Sequence, residues 1–335
     1  MPKKILKKKS SKHYLDGKTI LVTGGTGSFG KRFIKTILRN YKVKRVVVYS
    51  RDELKQDEMR TKEGFTDERL RYFIGDVRDK ERMYRAMIDI DVVVHAAAMK
   101  QVPASEYNPM EAIKTNIHGA ENVIEASIDR RVKKVIALST DKAVSPINLY
   151  GATKLVAEKL FVQGNNYSSI DGAKFSCVRY GNVIGSRGSV IPLFLHQRQN
   201  GIVTITDEKM TRFLLTLDQG VKFVIKSIEN MVGGEIFIPK IPSMKIIDIA
   251  KTIAPTSEIK IVGIRPGEKV HEVLISEAES LNTYEFADMF IIRPLSLFRE
   301  PVNLLYDKGH KMSHVEYSSN NNKEWLKPNN LLGML

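Results

Sequence analysis

Two pairs of ionisable side chains lie close together in the stretch LSTDKAVSPINLYGATK, residues 138–154. Tyr150 and Lys154 are four residues apart, so on a helix both project from one face. A tyrosine beside an ammonium can accept a proton from a substrate hydroxyl as hydride leaves the same carbon, because the positive charge lowers the pKa of the phenol. One such pair is enough for a dehydrogenase. Asp141 and Lys142, adjacent and just upstream, therefore predict a second proton-transfer step.

The segments around these pairs alternate between short apolar, β-branched runs and helical patterns. Each run is followed by enough residues for a crossover helix, which is typical of a parallel sheet covered on both faces. The sequence therefore predicts an α/β fold with a doubly wound parallel sheet. The predicted strands are 18–24, 45–50, 71–76, 91–98, 133–140 and 174–182, with 234–240 as a further candidate.

A glycine-rich turn, TGGTGSFG, follows the first predicted strand and opens a helix. Glycine lets the backbone turn sharply and approach a pyrophosphate, and the N-terminus of the helix offers unpaired N–H groups to the anion. In this context the turn predicts a dinucleotide site. Its predicted contacts are Thr23, Gly24, Gly27, Ser28, Phe29 and Gly30.

The tip of the second strand decides which dinucleotide fits. An acidic residue there would hydrogen-bond the ribose 2′-hydroxyl of NAD, whereas Ser50 and Arg51 offer a hydroxyl and a cation suited to the 2′-phosphate of NADP. We therefore predict NADP, with Lys55 as a further contact. Asp52 leaves NAD open, because a small rotation of the loop would make it the ribose ligand.

Further cofactor contacts are predicted after the later strands. Asp76 and Val77 would lie beside the adenine, and the small residues of HAAA would let the fourth strand pass under the cofactor. For His95 we favour a packed strand-end histidine over a catalytic one. The predicted contacts of this group are Asp76, Val77, Ala96, Ala98, Lys100, Tyr150, Lys154 and Val183.

The composition limits the cellular location and the classes of binding partner that we predict for the protein. The 335 residues include a single cysteine, Cys177, and no apolar run approaches the roughly 20 residues that span a bilayer. We therefore predict a cytoplasmic protein with no membrane partner. The net charge of +15 favours an anionic partner, and a degenerate fold recruited to bind RNA is the alternative from another class. The lysine-rich leader carries much of that charge and every motif residue is present, so we predict no nucleic-acid partner.

The motifs together resemble a known family. TGGTGSFG, YGATK and RYGNVIGSRGS are similar to the extended short-chain dehydrogenase/reductases, whose cofactor domain has the Rossmann fold. YSRDELKQ, IGDVRD, KTNIHGAENVIEA, LSTDKAVSPINLYGATK, MTRF, IPKIPSMK and GIRPGEKVHEVLI more narrowly resemble the inverting UDP-N-acetylglucosamine 4,6-dehydratases of pseudaminic acid synthesis. The resemblance runs from about Asp16 to the C-terminal EYSSNNNKEWL.

The resemblance implies a reaction that uses both pairs. Oxidation at C4 of the sugar acidifies the C5 proton, water is lost from C6, and the hydride returns to C6 while C5 is reprotonated. Tyr150 would serve the C4 step, Lys142 would be the C5 base and Asp141 the acid for water loss. An acid must hold a proton that an adjacent ammonium discourages, so the simplest solution is one proton shared by Asp141 and Lys142.

Individual residues refine this prediction. Lys142, where retaining dehydratases usually have Glu, implies inversion at C5. Tyr150 implies the pseudaminic branch, since the related dehydratases of the fucosamine and capsule pathways tend to have Met there. Thr140 matches the Ser or Thr that hydrogen-bonds O4 in many relatives. A UDP-hexose 4-epimerase or reductase on the same fold is the alternative, and such enzymes need no C5 base.

Binding of the UDP-sugar is predicted from charged and amide side chains. Arginine matches the two phosphates, and Glu268 would accept from the uridine ribose. By resemblance Asn182, Lys100 and Asn116 contact the substrate or organise the site. The full set is Lys100, Asn116, Asn182, Arg187, Arg212, Arg265 and Glu268, and we predict no metal site.

The predicted organisation has three parts. Residues 1–15 would be a disordered basic leader, 16–185 the NADP-binding Rossmann domain, and 186–335 a smaller substrate-binding region. The last two would be interleaved, because 234–240 is expected to return to the main sheet. The resemblance also implies a homo-oligomer such as a hexamer.

Overall fold

The computed structural model describes residues 13–185, 190–294, 306 and 308–335. Most of the predicted leader lies outside the described residues, as does Arg187. The helices of the described part are α1 (Ser28–Asn40), α2 (Glu53–Thr61), α3 (Lys80–Ala86), α4 (Val102–Tyr107), α5 (Pro109–Ile113), α6 (Gly119–Asp129), α7 (Leu149–Tyr167), α8 (Val190–Gln197), α9 (Leu217–Asn230), α10 (Ile246–Ile253), α11 (Glu277–Ser280) and α12 (Pro328–Leu332). A π-helical turn covers Lys114–His118, and 3₁₀ turns cover Asp141–Ala143 and Arg198–Asn200.

The strands belong to one large sheet and three small ones. In the large sheet they are β1 (Thr19–Thr23), β2 (Arg45–Ser50), β3 (Leu70–Ile74), β4 (Val92–His95), β5 (Lys134–Leu138), β6 (Lys174–Val178), β10 (Ile236–Pro239), β14 (Thr283–Glu285), β15 (Met289–Ile292) and β16 (His310–Lys311). In the small sheets they are β7 (Asn182–Val183), β8 (Ile202–Ile205), β9 (Thr211–Leu215), β11 (Ser243–Lys245), β12 (Glu258–Ile261), β13 (Val273–Ile275) and β17 (Tyr317–Ser318).

The centre of the large sheet is parallel, in the order β3-β2-β1-β4-β5-β6-β10. This confirms the predicted doubly wound α/β fold. The β-branched runs of β1, β2 and β4 are buried almost throughout, as expected for strands covered on both faces. The order reverses between β1 and β4, which opens a crevice at the carboxyl ends of these strands, where sheets of this type bind their ligands.

The C-terminal half contributes to both regions. The strand β10 pairs parallel with β6, and β15, β14 and β16 continue the large sheet in antiparallel pairing. The small sheets are β11-β9-β7, β12-β8 and β13-β17. A second hydrophobic core, separate from the one around the large sheet, packs α8 and α10 against β8. The predicted boundaries 16–185 and 186–335 stay a prediction.

A buried arginine ties the α7 helix to the C-terminal region. The guanidinium of Arg179 pairs with Glu158 on α7 through Nη2 at 2.7 Å and with Glu279 through the same nitrogen at 3.0 Å. Its Nη1 donates to the carbonyl of Leu274 at 2.8 Å. Burial opposes the charge, but the two carboxylates outweigh it and raise the pKa of the guanidinium.

Within the described residues, no helix has both the length and the hydrophobicity to span a bilayer.

Candidate functional site

A cleft of about 830 Å³ lies at the carboxyl ends of the parallel strands. Its lining comes from α1 and α7, from the ends of β2 and β5, and from the loops that follow β1, β3, β4 and β6, which are far apart in the chain. The predicted site residues that line it are Gly24, Gly27, Ser28, Phe29, Gly30, Ser50, Arg51, Lys55, Asp76, Val77, Ala96, Ala98, Lys100, Thr140, Asp141, Lys142, Tyr150, Lys154, Asn182 and Val183. Those outside its lining are Thr23, Asp52, Asn116, Arg212, Arg265 and Glu268.

The glycine-rich turn is shaped by backbone contacts that exclude side chains. Gly24 adopts a positive φ of 65°, and a Cβ there would meet the backbone nitrogen of Ala97 at 2.9 Å. A Cβ on Gly30 would meet Gly25 Cα at 2.6 Å, so the first turn of α1 lies directly against the loop. Gly27 caps α1 without a side-chain hydrogen bond. The N-terminus of α1 therefore presents free N–H groups to the cleft, as a pyrophosphate site requires.

The acidic residue that follows β2, Asp52, has a structural role. Asp52 caps α2, where its Oδ1 accepts from the Lys55 nitrogen at 3.0 Å and its Oδ2 pairs with the Lys55 Nζ at 2.6 Å. The Ser50 hydroxyl lies 2.9 Å from that of Thr26. Arg51 is 68% exposed at its side chain and lies 3.8 Å from the Asp76 carboxylate. The cation at this tip is therefore available to a ligand, whereas the carboxylate of Asp52 is engaged.

Thr23 and His95 hold adjacent strands together beneath the cleft. The Thr23 hydroxyl lies 2.9 Å from His95 Nδ1 and accepts from the Ala96 and Ala97 nitrogens at 3.1 and 3.2 Å. Burial lowers the pKa of His95 to about 3, so the ring is neutral. It packs against Phe161 at a centroid distance of 5.5 Å.

Asn116 connects the loop after β4 to α7. Its Oδ1 accepts from the Met99 nitrogen at 2.8 Å, and its Nδ2 donates to the Met99 carbonyl and to the Thr153 hydroxyl at 2.9 Å each. These contacts use its amide fully, so in this structure Asn116 organises the site. Lys100, which lies in the same loop and lines the cleft, has its pKa lowered by burial.

Local sequence explains how the two ionisable pairs come together. The Thr140 hydroxyl caps the 3₁₀ turn of Asp141–Ala143 by accepting from the Lys142 nitrogen at 3.3 Å. The Asn148 side chain caps α7 by accepting from the Gly151 nitrogen at 2.7 Å. Gly151 then allows α7 to lie against the 3₁₀ turn, since a Cβ there would be 2.2 Å from the Lys142 carbonyl oxygen.

The electrostatics of Tyr150 differ from the sequence-based expectation. Burial raises its pKa to about 12, opposed by the charge of Lys142 and by a side-chain hydrogen bond with Thr140, while Asp141 adds to the increase. The expected charge of Lys154 is not among these causes. Its Nζ donates to the Leu138 carbonyl at 2.7 Å, and burial lowers its pKa. In this structure the cation that favours the phenolate is therefore Lys142.

Lys142 is held between two carboxylates. Its Nζ lies 3.1 Å from Asp141 Oδ1 and 3.1 Å from Glu272 Oε1. Burial and the nearby Arg212 favour the neutral amine, but Asp141 and Glu272 outweigh them and raise the pKa of Lys142. The expected shift toward a neutral amine is thus reversed in the protein alone. The Thr140 hydroxyl donates to Asp141 Oδ1 at 2.9 Å and completes the group.

The segment 265–272 lies beside this group. The Lys269 Nζ donates to the Val144 carbonyl, and the Asn148 amide donates to the Gly267 carbonyl at 2.8 Å. Arg265 is 65% exposed and pairs with Glu268 Oε1 at 3.2 Å. The segment therefore links a predicted phosphate-binding arginine to the loop that carries Asp141 and Lys142.

Arg212 has different partners from those expected. Its guanidinium donates to the backbone carbonyls of Thr211, Val270 and Lys269 at 2.7, 3.1 and 3.0 Å, and its Nε lies 3.7 Å from Glu272. These contacts bury the side chain. Its role in binding the substrate phosphates stays a prediction, as does that of Arg187 outside the described residues.

Several site residues received no role from the sequence. Tyr180 and Ser139 line the cleft, and Glu272 pairs with Lys142 from a distant part of the chain. The sequence signal for Glu272 was its place in GIRPGEKVHEVLI, where four ionisable residues follow the arginine. Buried polar atoms without a hydrogen-bond partner in the described structure concentrate here: Ser139 Oγ, Asp141 Oδ2, Asn182 Oδ1, Glu268 Oε2 and Glu272 Oε2. Such atoms favour a polar ligand.

Two curated relatives are similar over most of the chain. A protein of Campylobacter jejuni subsp. jejuni serotype O:23/36 (strain 81-176), described as UDP-N-acetylglucosamine 4,6-dehydratase (inverting), is 55% identical over 96% of this chain and 98% of its own. A protein of Rickettsia conorii (strain ATCC VR-613 / Malish 7), described as UDP-glucose 4-epimerase, is 44% identical over 82% of each chain.

Solved structures share the fold. Pen from Bacillus thuringiensis has a TM-score of 0.86 and 38% identity, covering 96% of this chain and 98% of its own. DesIV from Streptomyces venezuelae, a dTDP-glucose 4,6-dehydratase with NAD and TYD bound, has a TM-score of 0.67 and 21% identity, covering 75% and 86%. The second likeness shows the fold alone.

A family model agrees with these relatives. The model described as Polysaccharide biosynthesis protein matches residues 20–294, which include the glycine-rich turn, both ionisable pairs and Glu272. The chain therefore belongs to the polysaccharide biosynthesis protein family.

Proposed function

We propose that this protein catalyses the inverting 4,6-dehydration of UDP-N-acetylglucosamine to UDP-2-acetamido-2,6-dideoxy-β-L-arabino-hexos-4-ulose. One observation carries the proposal: Asp141 and Lys142 lie in the same cleft as Tyr150 and Lys154, beside a glycine-rich turn suited to a dinucleotide. Chemistry at C4 alone would need only the tyrosine and its lysine. The similarity to the Campylobacter dehydratase supports the same choice.

The first half-reaction oxidises C4. The bound nicotinamide dinucleotide supplies the hydride acceptor. Tyr150, as phenolate, takes the proton of the C4 hydroxyl as the C4–H bond breaks and its electron pair leaves with hydride. The pKa of about 12 in the protein alone requires further positive charge, and an oxidised nicotinamide is such a charge. Lys142 and the hydrogen bond with Thr140 also favour the phenolate form of Tyr150.

The second half-reaction removes water. Lys142 takes the C5 proton, and the electron pair stays on the substrate as an enolate. The C6–O bond then breaks as the C5–C6 double bond forms, and Asp141 gives its proton to the departing hydroxide. Hydride returns to C6 and Lys142 returns its proton to C5. The planar intermediate must turn its other face to Lys142 before this last proton transfer, because only reprotonation on the opposite face of C5 gives the inverted configuration.

The proton balance of this cycle assigns a task to Thr140. Each turnover leaves Tyr150 with one extra proton and Asp141 with one fewer. The Thr140 hydroxyl is hydrogen-bonded to Tyr150 and donates to Asp141 Oδ1 at 2.9 Å. It therefore connects the group that gains a proton to the group that loses one, and a shift of two protons through this hydroxyl restores both.

The proposed cofactor is NADP. Support comes from the exposed Arg51 at the tip of β2 and from Asp52, whose carboxylate caps α2 and pairs with Lys55. A 2′-phosphate would gain a charged partner there, whereas a ribose 2′-hydroxyl would find the acidic residue engaged.

Replacing Arg51 with Ala is expected to weaken NADP binding about 10-fold or more and to leave NAD binding nearly unchanged, because the lost contact involves only the 2′-phosphate. The measurement is the dissociation constant for each dinucleotide by titration calorimetry. Arg60→Ala is the matched control, because it removes an exposed arginine from the last turn of α2, the helix that follows Arg51. Equal loss for both dinucleotides, or no loss for NADP, would contradict NADP as the cofactor.

The proposed contacts with the sugar nucleotide involve its diphosphate, its uridine ribose and its sugar. We assign the diphosphate to Arg265 and Arg187, and the uridine ribose to Glu268, whose Oε2 is buried without a partner in the described structure. Asn182 and Lys100 lie in the cleft where the sugar would meet the nicotinamide. A cytoplasmic location, a homo-oligomer such as a hexamer, and use of the product for pseudaminic acid stay predictions.

The test of the function is the product formed from UDP-N-acetylglucosamine. We expect loss of one water, a 4-keto-6-deoxy sugar by mass spectrometry and NMR, and the inverted configuration at C5. The second candidate is a UDP-hexose 4-epimerase, favoured by the similarity to the Rickettsia protein. Recovery of only the C4 epimer would establish that candidate and exclude dehydration.

A further inference from the structure

A glutamate that had no role in the sequence-based prediction lies among the charged groups of the site. Glu272 Oε1 is 3.1 Å from the Lys142 Nζ and 3.7 Å from the Arg212 Nε, and its side chain is only 2% exposed. We propose that Glu272 is a positioning residue that holds the Lys142 amine in place and remains its counter-ion while Asp141 carries a proton. The proposal rests on the proposed function, since it takes Lys142 and Asp141 to act at C5 and C6.

The need for a second carboxylate follows from the proton balance. In the protein alone, the ammonium of Lys142 is shared by Asp141 and Glu272 at equal distances. When the C5 proton has reached Lys142 and water has not yet left, Asp141 is protonated and can no longer balance the ammonium. An ammonium left partly buried without a counter-ion would be costly. Glu272 supplies that charge and so frees Asp141 to act as an acid.

Arg212 allows Glu272 to keep its charge through this exchange. The guanidinium is fixed by three backbone carbonyls and cannot lose its proton. It therefore stays a permanent positive neighbour of Glu272, whether or not Lys142 is charged. This arrangement gives a role to the contacts that the buried arginine of MTRF makes with Lys269, Val270 and Glu272, in addition to its contact with Thr211.

Ser319 holds the backbone of Glu272 at both its nitrogen and its carbonyl. Its nitrogen donates to the Ser319 hydroxyl at 3.0 Å, and its carbonyl accepts from the Ser319 nitrogen at 2.8 Å. The Ser319 hydroxyl also lies 2.6 Å from that of Thr211, next to Arg212. The β13-β17 pair continues from this point. The C-terminal segment thus fixes the position of a side chain in the reacting centre.

Other charged groups that face Lys142 set the expected pH dependence. Asp141 and Glu272 raise its pKa, whereas Arg212 lowers it, and Lys269 and Tyr150 are further neighbours. The proton shared by Asp141 and Lys142 is lost at high pH, which gives the alkaline limb of the pH–rate profile. Removing the negative charge of Glu272 lowers the pKa of the pair. The alkaline limb must then move to lower pH.

The experiment compares Glu272→Gln with the wild type. We expect kcat for dehydration to fall on the order of 10- to 100-fold, less than the loss of a direct proton-transfer group, and the alkaline limb to move to lower pH. Glu272→Asp keeps the charge and should keep the limb near its wild-type position. A loss of kcat with an unmoved limb would indicate a merely structural role, and an unchanged kcat would also overturn the proposal.

A second measurement does not depend on turnover. In protein labelled with ¹³C at lysine Cε, the Lys142 signal, identified by its absence in Lys142→Met, should titrate at lower pH in Glu272→Gln than in the wild type. Glu279→Gln, which neutralises a partly buried carboxylate that pairs with an arginine, is the control and should leave this titration unchanged. If the titration does not move, the inference fails even where dehydration occurs. If it moves but the wild type makes only an epimer, the proposed function fails and Glu272 still sets the charge of Lys142.

Discussion

Replacing Lys142 with Ala is expected to stop water loss while oxidation at C4 continues. The variant has no base for the C5 proton, so the rate of 4-keto-6-deoxy sugar formation should fall by 10²–10⁴-fold, the typical contribution of a positioned acid or base. Hydride that has left C4 then has no acceptor at C6. Reduced nicotinamide should therefore accumulate and be visible by absorbance, and deuterium from the solvent should no longer enter C5.

Lys142→Ala is also expected to shift the pH dependence of C4 oxidation in a defined direction. Lys142 lowers the pKa of Tyr150, so its removal raises that pKa further. Because Tyr150 acts as phenolate, the ascending limb of C4 oxidation should move to higher pH. Lys133→Ala, which removes an exposed lysine just before the start of β5, is the matched control and should change neither rate nor limb. Persistent exchange at C5 in Lys142→Ala would show that the base lies elsewhere.

The fold followed from local patterns. Apolar runs with helical segments between them predicted the parallel sheet, and β1, β2, β4, β5 and β10 lie within the predicted ranges. The antiparallel strands β14, β15 and β16 were not predicted, because short strands in a charged, irregular stretch carry little periodicity. Their pairing depends on contacts with β10, which no local window contains.

Sequence motifs predicted only those parts of the site whose residues lie close together in the chain. Spacing placed Tyr150 and Lys154 on one helix face and the glycines at a strand end. The contact between Lys142 and Glu272 joins residues far apart in the chain, and β13 is held there by β17 from the C-terminal segment. The charge of Lys142 therefore could not be inferred from its neighbour alone. A second carboxylate reverses the expectation of a neutral amine.

The second large effect is expected for Gly151, which lies where α7 contacts the 3₁₀ turn that carries Asp141 and Lys142. Replacing Gly151 with Ala places a Cβ 2.2 Å from the Lys142 carbonyl oxygen and 3.1 Å from the Lys142 carbonyl carbon. These are backbone atoms of a 3₁₀ turn, so they cannot rotate away. Either α7 or the turn must move, which separates Tyr150 from Lys142. We expect kcat to fall about 100-fold from misplacement and the free energy of unfolding to fall by about 1–3 kcal/mol from overpacking.

Gly220→Ala is the matched control, because Gly220 also lies within a helix but its Cβ would meet only Leu215 Cδ1, at 3.6 Å. Alanine is the better helix former, so this variant should be neutral or more stable by roughly 0.5–1 kcal/mol, with unchanged kcat. Urea unfolding and steady-state rates measure both variants. Wild-type activity in Gly151→Ala would mean that the chemistry tolerates a displaced turn. A selective loss would mean that oxidation and water loss depend on one backbone contact, because the ketone made by Tyr150 must form within reach of Lys142.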